Sequence, residues 1–326
     1  MKAYLAADIG GTKTLFQLVT EQGELVVEQE LVSADFASFD LILQHFLQQK
    51  SVQDYSLESA CFAVAGPVTG RDAYVTNLPW QLNADSLASK FTISRVHLCN
   101  DFEAVGYGIS ALKEDEIVTL QQGEVIADSP RAVIGAGTGL GQALLFPKGN
   151  DWQVVPTEGG HVNFAPTNSI QILLLEHLIE RFGQVSYEHI VSGVGIVTLY
   201  EFLRAYKQVD ELPELRQAMI DGDPAAAISQ FAAEKQCNLA SQTMALFVEI
   251  YGSQAGNLAL NVIPRAGLYL AGGIVGKNIE FFQNGAFIKA FNAKGKMQEL
   301  AGKIPVYVIL QPKVGLLGAQ LLAQRT

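Results

Sequence analysis

Three times along this chain a short apolar run ends in a cluster of glycines. The clusters are Asp8-Ile9-Gly10-Gly11-Thr12-Lys13-Thr14, Gly135-Ala136-Gly137-Thr138-Gly139-Leu140-Gly141 and Ala271-Gly272-Gly273-Ile274. A short apolar run bounded by glycine reads as a buried strand running into a tight turn. After the first two clusters a second strand begins at once, over Thr14 to Thr20 and Gln142 to Phe146. Two common phosphate-binding arrangements are thereby excluded. The glycines at 135, 137, 139 and 141 do not fit G-x-G-x-x-G, and a strand follows where a Rossmann helix is required. No Gly-Lys pair is followed by Ser or Thr, so there is no P-loop.

The flanking sequence fills in an α/β pattern. Ala3 to Asp8, Thr14 to Thr20 and Glu24 to Leu31 predict three strands, the last two joined by the turn Glu21-Gln22-Gly23, which makes an antiparallel meander. Phe39 to Gln49 has helical spacing through Leu41, Ile42, Leu43, Phe46 and Leu47. Ser59 to Ala65 and Arg95 to Cys99 predict further strands. The helix after Cys99 carries Phe102, Val105, Ile109 and Leu112 on one face. The pattern then restarts with strands at Ala132 to Ile134, Gln142 to Phe146 and Trp152 to Pro156. Helices are predicted over Ser169 to Phe182, Gly195 to Lys207, Asp223 to Cys237 and Leu239 to Asn261. Gly267 to Leu270 and Val306 to Leu310 read as late strands, and Leu316 to Gln324 as a last helix. The halves echo each other in architecture without a fixed sequence period. Pattern places the boundary near Lys113 to Pro130, with Gly123 to Pro130 as the connecting loop.

Composition narrows the function classes. Hydrophobic residues make up 49% and charged residues 17%, the balance of a folded chain. The 33 acidic and 22 basic residues give a net charge of −11, the wrong sign for binding nucleic acid through its phosphates. The longest stretch free of Asp, Glu, Lys, Arg and His, Ala132 to Pro147, is too short for a membrane span and is interrupted by four glycines. The N-terminus lacks the apolar core of a signal peptide. Cys61, Cys99 and Cys237 are too far apart in sequence for a cysteine-based zinc spacing, and they read as buried reduced thiols of a cytoplasmic protein.

The glycine clusters have a chemical use. Glycine lets the backbone approach a ligand and turn its N–H groups toward phosphate oxygens, the threonine hydroxyls add donors, and Lys13 could add a positive charge. Asp8, at a strand end beside such a loop, suits Mg²⁺ or its water. A single Gly-Gly turn is more often a plain hairpin, and it is the repetition that favours phosphate. Asn100-Asp101 lies where a strand meets a helix, the place where open α/β sheets bind ligands. An isolated aspartate there is by default a helix N-cap. Glu158-Gly159-Gly160-His161 can turn an acid and a histidine toward one ligand, or form an ordinary surface loop. It lacks the paired histidines of a zinc helix. Glu188 is unremarkable alone.

Taken together, these residues resemble the bacterial glucokinase family, in its branch outside the ROK group. The resemblance is carried by Asp8 to Thr12, Ala65-Gly66-Pro67-Val68, Thr76-Asn77, Cys99-Asn100-Asp101-Phe102, Gly135 to Gly141, Glu158 to His161 with Phe164-Ala165-Pro166, Ser192-Gly193, Gly256 to Leu260, Ala271 to Ile274 and Gly315-Leu316-Leu317-Gly318. It implies a two-domain α/β fold of the actin-like ATPase (ribonuclease H-like) type, with the active site in a cleft between the domains. The small domain would comprise 1–110 plus a returning C-terminal helix at about 311–326, and the large domain 111–310. The implied activity is phosphorylation of the 6-hydroxyl of glucose by ATP with Mg²⁺, in a cytoplasmic homodimer. Asp101 matches the catalytic base. Asn77, Asn100, Asp101, Glu158, His161 and Glu188 match sugar-binding positions. Ala7, Asp8, Ile9, Gly10, Gly11, Thr12, Gly137, Thr138, Gly139, Gly272 and Gly273 match nucleotide-binding positions, with Asp8 toward Mg²⁺ through water. Lys13 departs from the usual Asn and looks like the ROK opening, but the ROK Cys-x-Cys-Gly zinc cluster is absent, so no zinc site is expected. The first strand follows Met1 directly, so no appended helix-turn-helix is expected. A kinase for another hexose or amino sugar, a non-catalytic sugar sensor and a sugar-independent ATPase remain as alternatives.

Overall fold

Ala3, Leu5, Ala6, Ala7 and Ile9 are all buried, which makes β1 (Lys2–Ile9) a central strand rather than an edge. In this computed structural model, which describes residues 1–325, β1 pairs antiparallel with β2 (Lys13–Thr20), and β2 with β3 (Leu25–Val32). After α1 (Phe39–Leu47) and α2 (Lys50–Gln53), β4 (Ser56–Val64) joins β1 in parallel. A small antiparallel sheet follows, of β5 (Val68–Thr69), β6 (Asp72–Tyr74) and β7 (Gln81–Asn83). Then α3 (Ala84–Phe91) leads to β8 (Arg95–Asn100), parallel to β4, and to α4 (Asp101–Gly108). The main sheet therefore runs β3-β2-β1-β4-β8. Its core is aromatic. Phe16 stacks on Phe46 with ring centroids 4.7 Å apart, and Phe39 meets Phe62 edge-on at 5.0 Å.

A second sheet repeats the opening. It contains β9 (Ile117–Gln121), β10 (Arg131–Ala136), β11 (Leu140–Lys148), β12 (Asp151–Thr157), β13 (Leu268–Ala271) and β14 (Val306–Ile309), in the order β12-β11-β10-β13-β14-β9. β10 and β11 form an antiparallel pair around the glycine turn, and β13 lies parallel to β10. Between β12 and β13 run α5 (Ser169–Phe182), α6 (Gly193–Lys207), α7 (Pro213–Asp221), α8 (Pro224–Ala233) and α9 (Asn238–Val262). Between β13 and β14 come the short α10 (Gly273–Lys277), α11 (Ile279–Gln283), α12 (Ala286–Asn292) and α13 (Gln298–Gly302). α9 is buried along most of its length, and Tyr251 on it donates to the Ile134 carbonyl of β10 at 3.2 Å. The last helix, α14 (Val314–Gln324), packs its buried face on α4.

The chain divides into two compact units. One comprises Met1–Glu114, Val154–Pro156 and the chain from Gln311 onward. The other comprises Asp115–Gln153 and Thr157–Leu310.

Three details differ from the sequence expectation. The fully buried residues of α4 are Ala104, Gly106 and Gly108, not Phe102 and Val105, because α14 approaches so closely that only small residues fit. A Cβ added at Gly318 of α14 would lie 1.7 Å from the Ala104 carbonyl oxygen. α4 itself ends at Gly108 and a 3₁₀ turn over Ile109–Ala111 replaces its predicted last turn. β9, α7 and the four short helices before β14 were not predicted. The three cysteines are free and buried, and the β4–β8 pairing brings the Cys61 and Cys99 sulfurs within 3.7 Å although 38 positions separate them in sequence.

Candidate active site

In the first unit the parallel strands end level with one another. Ile9 is in register with Val64, and Val64 with Asn100, so the loops after β1, β4 and β8 leave the sheet side by side. This is the carboxyl edge where open α/β sheets bind ligands. The loop after β1 carries Gly10, Gly11 and Thr12. It is closed by Gly10 N–H donating to the Lys13 carbonyl at 2.9 Å. Ser33 braces it from behind. Its N–H donates to the Thr12 carbonyl at 2.9 Å, and its hydroxyl donates to the Gly10 carbonyl at 2.9 Å and lies 3.0 Å from Thr14 Oγ1. Asn77 packs against Gly11. Lys13 does not face this loop: its Nζ pairs with Glu30 on β3 at 2.5 Å, so the extra cation expected at this glycine loop is not provided.

The N-cap of α4 is Asn100, not Asp101. Asn100 Oδ1 accepts from the N–H groups of Phe102 (2.9 Å) and Glu103 (3.4 Å), and its Nδ2 donates to the Gly66 carbonyl at 3.2 Å. Its acceptor capacity is therefore committed to the helix, leaving one N–H for a ligand. Asp101 is the first helical residue, half-buried, with Oδ1 accepting from Phe102 N–H at 2.9 Å.

Asp8 lies one residue before the end of β1, and burial pushes its carboxyl up to about 6. Such a carboxylate carries a desolvation cost that a cation would relieve. Among the described residues no group of three or more His, Cys, Asp and Glu could hold a metal by itself. One carboxylate beside a glycine loop is the kind of group that suits Mg²⁺, which keeps several of its waters and is carried on substrate phosphates.

In the second unit Glu158, His161 and Glu188 come together although Glu188 is remote in sequence. His161 Nε2 lies 3.8 Å from Glu158 Oε2, and its Nδ1 lies 3.8 Å from Glu188 Oε1. The Glu158 side chain is 80% exposed and that of His161 59%, so both are open to a ligand. The loop forms a short 3₁₀ turn over Gly159–His161. Glu188 Oε2 is taken by the Leu140 N–H at 2.8 Å.

Nearby, a cavity of about 720 Å³ has Gly137 and Thr138 on one wall and Gly273 and Ile274 on another. The second and third glycine clusters thus meet on one pocket, at the carboxyl ends of the parallel strands β10 and β13. Its remaining lining comes from the start of α6 (Val194, Val197), from Asp223 and the length of α8 as far as Ala233, and from Lys277 and Asn278 at the end of α10. Gly272 does not line the cavity. It takes a φ of 92° and backs onto the Ala136 carbonyl, which lets Gly273 face the space. Gly139 also lies outside it, against Glu188. The pocket surface is largely apolar, with Thr138, Asp223, Gln230 and Lys277 among its polar side chains, the character of a small-molecule site.

Sequence reading did not single out Ser33, the apolar starts of α6 and α8, or the brace behind Glu188. In that brace Asn257 Nδ2 donates to the Tyr187 hydroxyl at 3.0 Å, and Lys294 Nζ donates to Asn257 Oδ1 at 2.7 Å. Burial lowers the Lys294 pKa, and its ammonium is occupied inside the unit. Asn257 lies within the Gly256 to Leu260 motif and Gly193 within Ser192-Gly193, but nothing local marked Ser33 or Lys294, whose partners are far away in sequence.

The chain matches the profile of the glucokinase family over residues 5–326. It is 45% identical to the glucokinase of Nostoc punctiforme, with the whole of both chains covered. The chain belongs to the glucokinase family. Its enzymes phosphorylate glucose with ATP. A glucokinase from an Antarctic psychrotroph superposes with a TM-score of 0.84 at 31% identity, with both chains fully covered. The glucokinase of Balamuthia mandrillaris, solved in complex with glucose, gives 0.83 at 25% identity over 99% of this chain and 94% of that one. The glucokinase-family fold seen here is a mixed α/β one that places all three glycine clusters at strand ends.

Proposed function

We propose that this chain moves the γ-phosphoryl group of ATP to the 6-hydroxyl of glucose with Asp101 as the general base. Asp101 takes the hydroxyl proton as the sugar oxygen bonds to phosphorus and the bond to the ADP oxygen breaks. The observation that carries this reading is the position of Asp101. It opens α4 at the carboxyl end of β8, level with the glycine loop of β1, with Asn100 rather than Asp101 as the N-cap of that helix.

Glu158 and Glu188 accept from sugar hydroxyls, and His161 donates or accepts between them. Asn77 and the remaining Asn100 N–H add donors in the first unit. The 720 Å³ cavity takes the nucleoside, and the turns at Gly137–Thr138 and Gly10–Thr12 take phosphates through backbone N–H groups. Mg²⁺, when bound, neutralises charge on the phosphates, and Asp8 is the residue that holds it through water.

The finer architecture proposed is the actin-like ATPase fold. The support is that both sheets open with an antiparallel strand pair around a glycine turn and continue with parallel strands. We also assign the chain to the cytoplasm as a homodimer, which its elution volume with light scattering would check. No described helix is long and apolar enough to cross a membrane.

The direct test is ADP production from ATP and Mg²⁺ against a panel of glucose, mannose, glucosamine and deoxyglucoses. Glucose should give the highest kcat/KM. Preference for another hexose would change the substrate. ADP release independent of sugar would make the chain a plain ATPase, and binding of glucose without any turnover would make it a sensor.

A further inference from the structure

In the second unit the candidate sugar loop and the candidate nucleotide turn share one side chain. Glu188 Oε2 accepts the Leu140 N–H of the glycine turn at 2.8 Å, while Oε1 faces His161. The backbone around Glu188 is laced to the same two loops. Glu188 N–H donates to the Gly160 carbonyl at 3.0 Å, and Gly193 N–H donates to the Gly137 carbonyl at 2.9 Å. Between them, the Ser192 hydroxyl donates to the Glu188 carbonyl at 2.7 Å and accepts from Gly195 N–H at 3.0 Å, capping α6. Glycine makes the contacts sterically available. A Cβ at Gly139 would lie 2.5 Å from Glu188 Oε2 and have Glu188 atoms as its three nearest neighbours, and a Cβ at Gly160 would lie 2.0 Å from the Leu140 carbonyl oxygen.

We infer that Glu188 couples the two ligands, so that glucose and nucleotide each tighten the binding of the other. The inference rests on the assignment of sugar and nucleotide sites proposed above. The Glu188 side chain is 32% exposed, so water competes for its carboxylate in the free protein. A sugar hydroxyl donating to Oε1 restricts the carboxylate and keeps Oε2 on the Leu140 N–H. The turn is then ordered before the nucleotide arrives, and the ordering entropy is spent once for two ligands. Thermodynamic linkage makes the effect reciprocal. Glu188 is in this respect a positioning residue for the nucleotide turn as well as a sugar contact.

The test titrates a non-hydrolysable ATP analogue with Mg²⁺ into the full-length protein with and without saturating glucose, and glucose with and without the analogue. In the wild type each ligand should lower the Kd of the other by the same factor, about fivefold or more. Gly139→Ala lies in the nucleotide turn and its methyl would displace the Glu188 carboxylate. It should raise the glucose Kd by about fivefold or more with no nucleotide present, and bring the coupling factor close to one. Glu188→Ala should also remove the coupling, and should weaken the analogue in the absence of glucose. Wild-type coupling in both variants, or independent binding of the two ligands to the wild type, would overturn the inference and leave the proposed function standing. A wild type that binds neither ligand would overturn the functional reading and the coupling with it.

Discussion

At the scale of single residues, the polar and charged positions divide into those their neighbours have committed and those left for ligands. Asn100 is committed to α4, Lys13 to Glu30 and Lys294 to Asn257. Glu158 and His161 are largely open. Asp8 is held at a cost. In the folded chain it keeps its proton up to about 6, whereas the ordinary value is 3.8. Between those limits the folded state binds more protons than the unfolded one, so stability falls as pH rises through the window. The penalty is absent below about pH 4 and complete above about pH 6, with a ceiling of about 3 kcal/mol. Asp8→Asn should therefore raise Tm relative to wild type at about pH 8, with the gap shrinking at about pH 4.5. Equal gaps at both pH values would mean that ionisation of Asp8 is not what the substitution relieves.

At the scale of elements, the strands flanking the glycine clusters were legible because an apolar run ending in glycine is a purely local signal. The predicted helix over Ser169–Phe182 has those same bounds in the structure, since polar caps and periodicity agree there. What was not legible depends on distant partners. The closest approach of α4 to α14 is at Ala104 and Gly108, small residues that the period read from Phe102, Val105, Ile109 and Leu112 does not pick out. The edge strand β9 follows a run of acidic residues and is only partly buried. The cavity walls come from four segments that meet only after folding, and Gly137, Thr138, Gly273 and Ile274 were the part the glycine motifs could announce. The backbone there is not left-handed, so the reason for glycine at 137 is space rather than a positive φ. A Cβ at Gly137 meets nothing within 4 Å, and the residue lines the cavity. Gly137→Val should fold normally and raise the KM for ATP by about tenfold, with little change in that for glucose, because the added methyls occupy nucleotide space. Steady-state kinetics with each substrate varied in turn will decide. A change confined to the glucose KM would assign the turn to the sugar.

At the scale of the whole molecule, a net charge of −11 surrounds a reaction between two ligands of which one is an anion. Against that repulsion the chain offers backbone N–H groups at strand ends and the Lys277 side chain on the cavity wall, and the proposed Mg²⁺ would add to them. Stripping Mg²⁺ should stop turnover without lowering Tm, while a chelator selective for zinc should change neither. Zinc bound stoichiometrically in the purified protein would contradict the metal assignment. The central claim ties glucose phosphorylation to one carboxylate at the start of α4. Asp101→Asn keeps the shape and the hydrogen bond to Phe102 N–H but cannot take the hydroxyl proton. The decisive measurement is glucose-dependent ADP release by this variant beside its glucose Kd. Turnover should fall by at least about 10²-fold with the Kd within about threefold of wild type, whereas near-normal turnover would remove Asp101 from the chemistry.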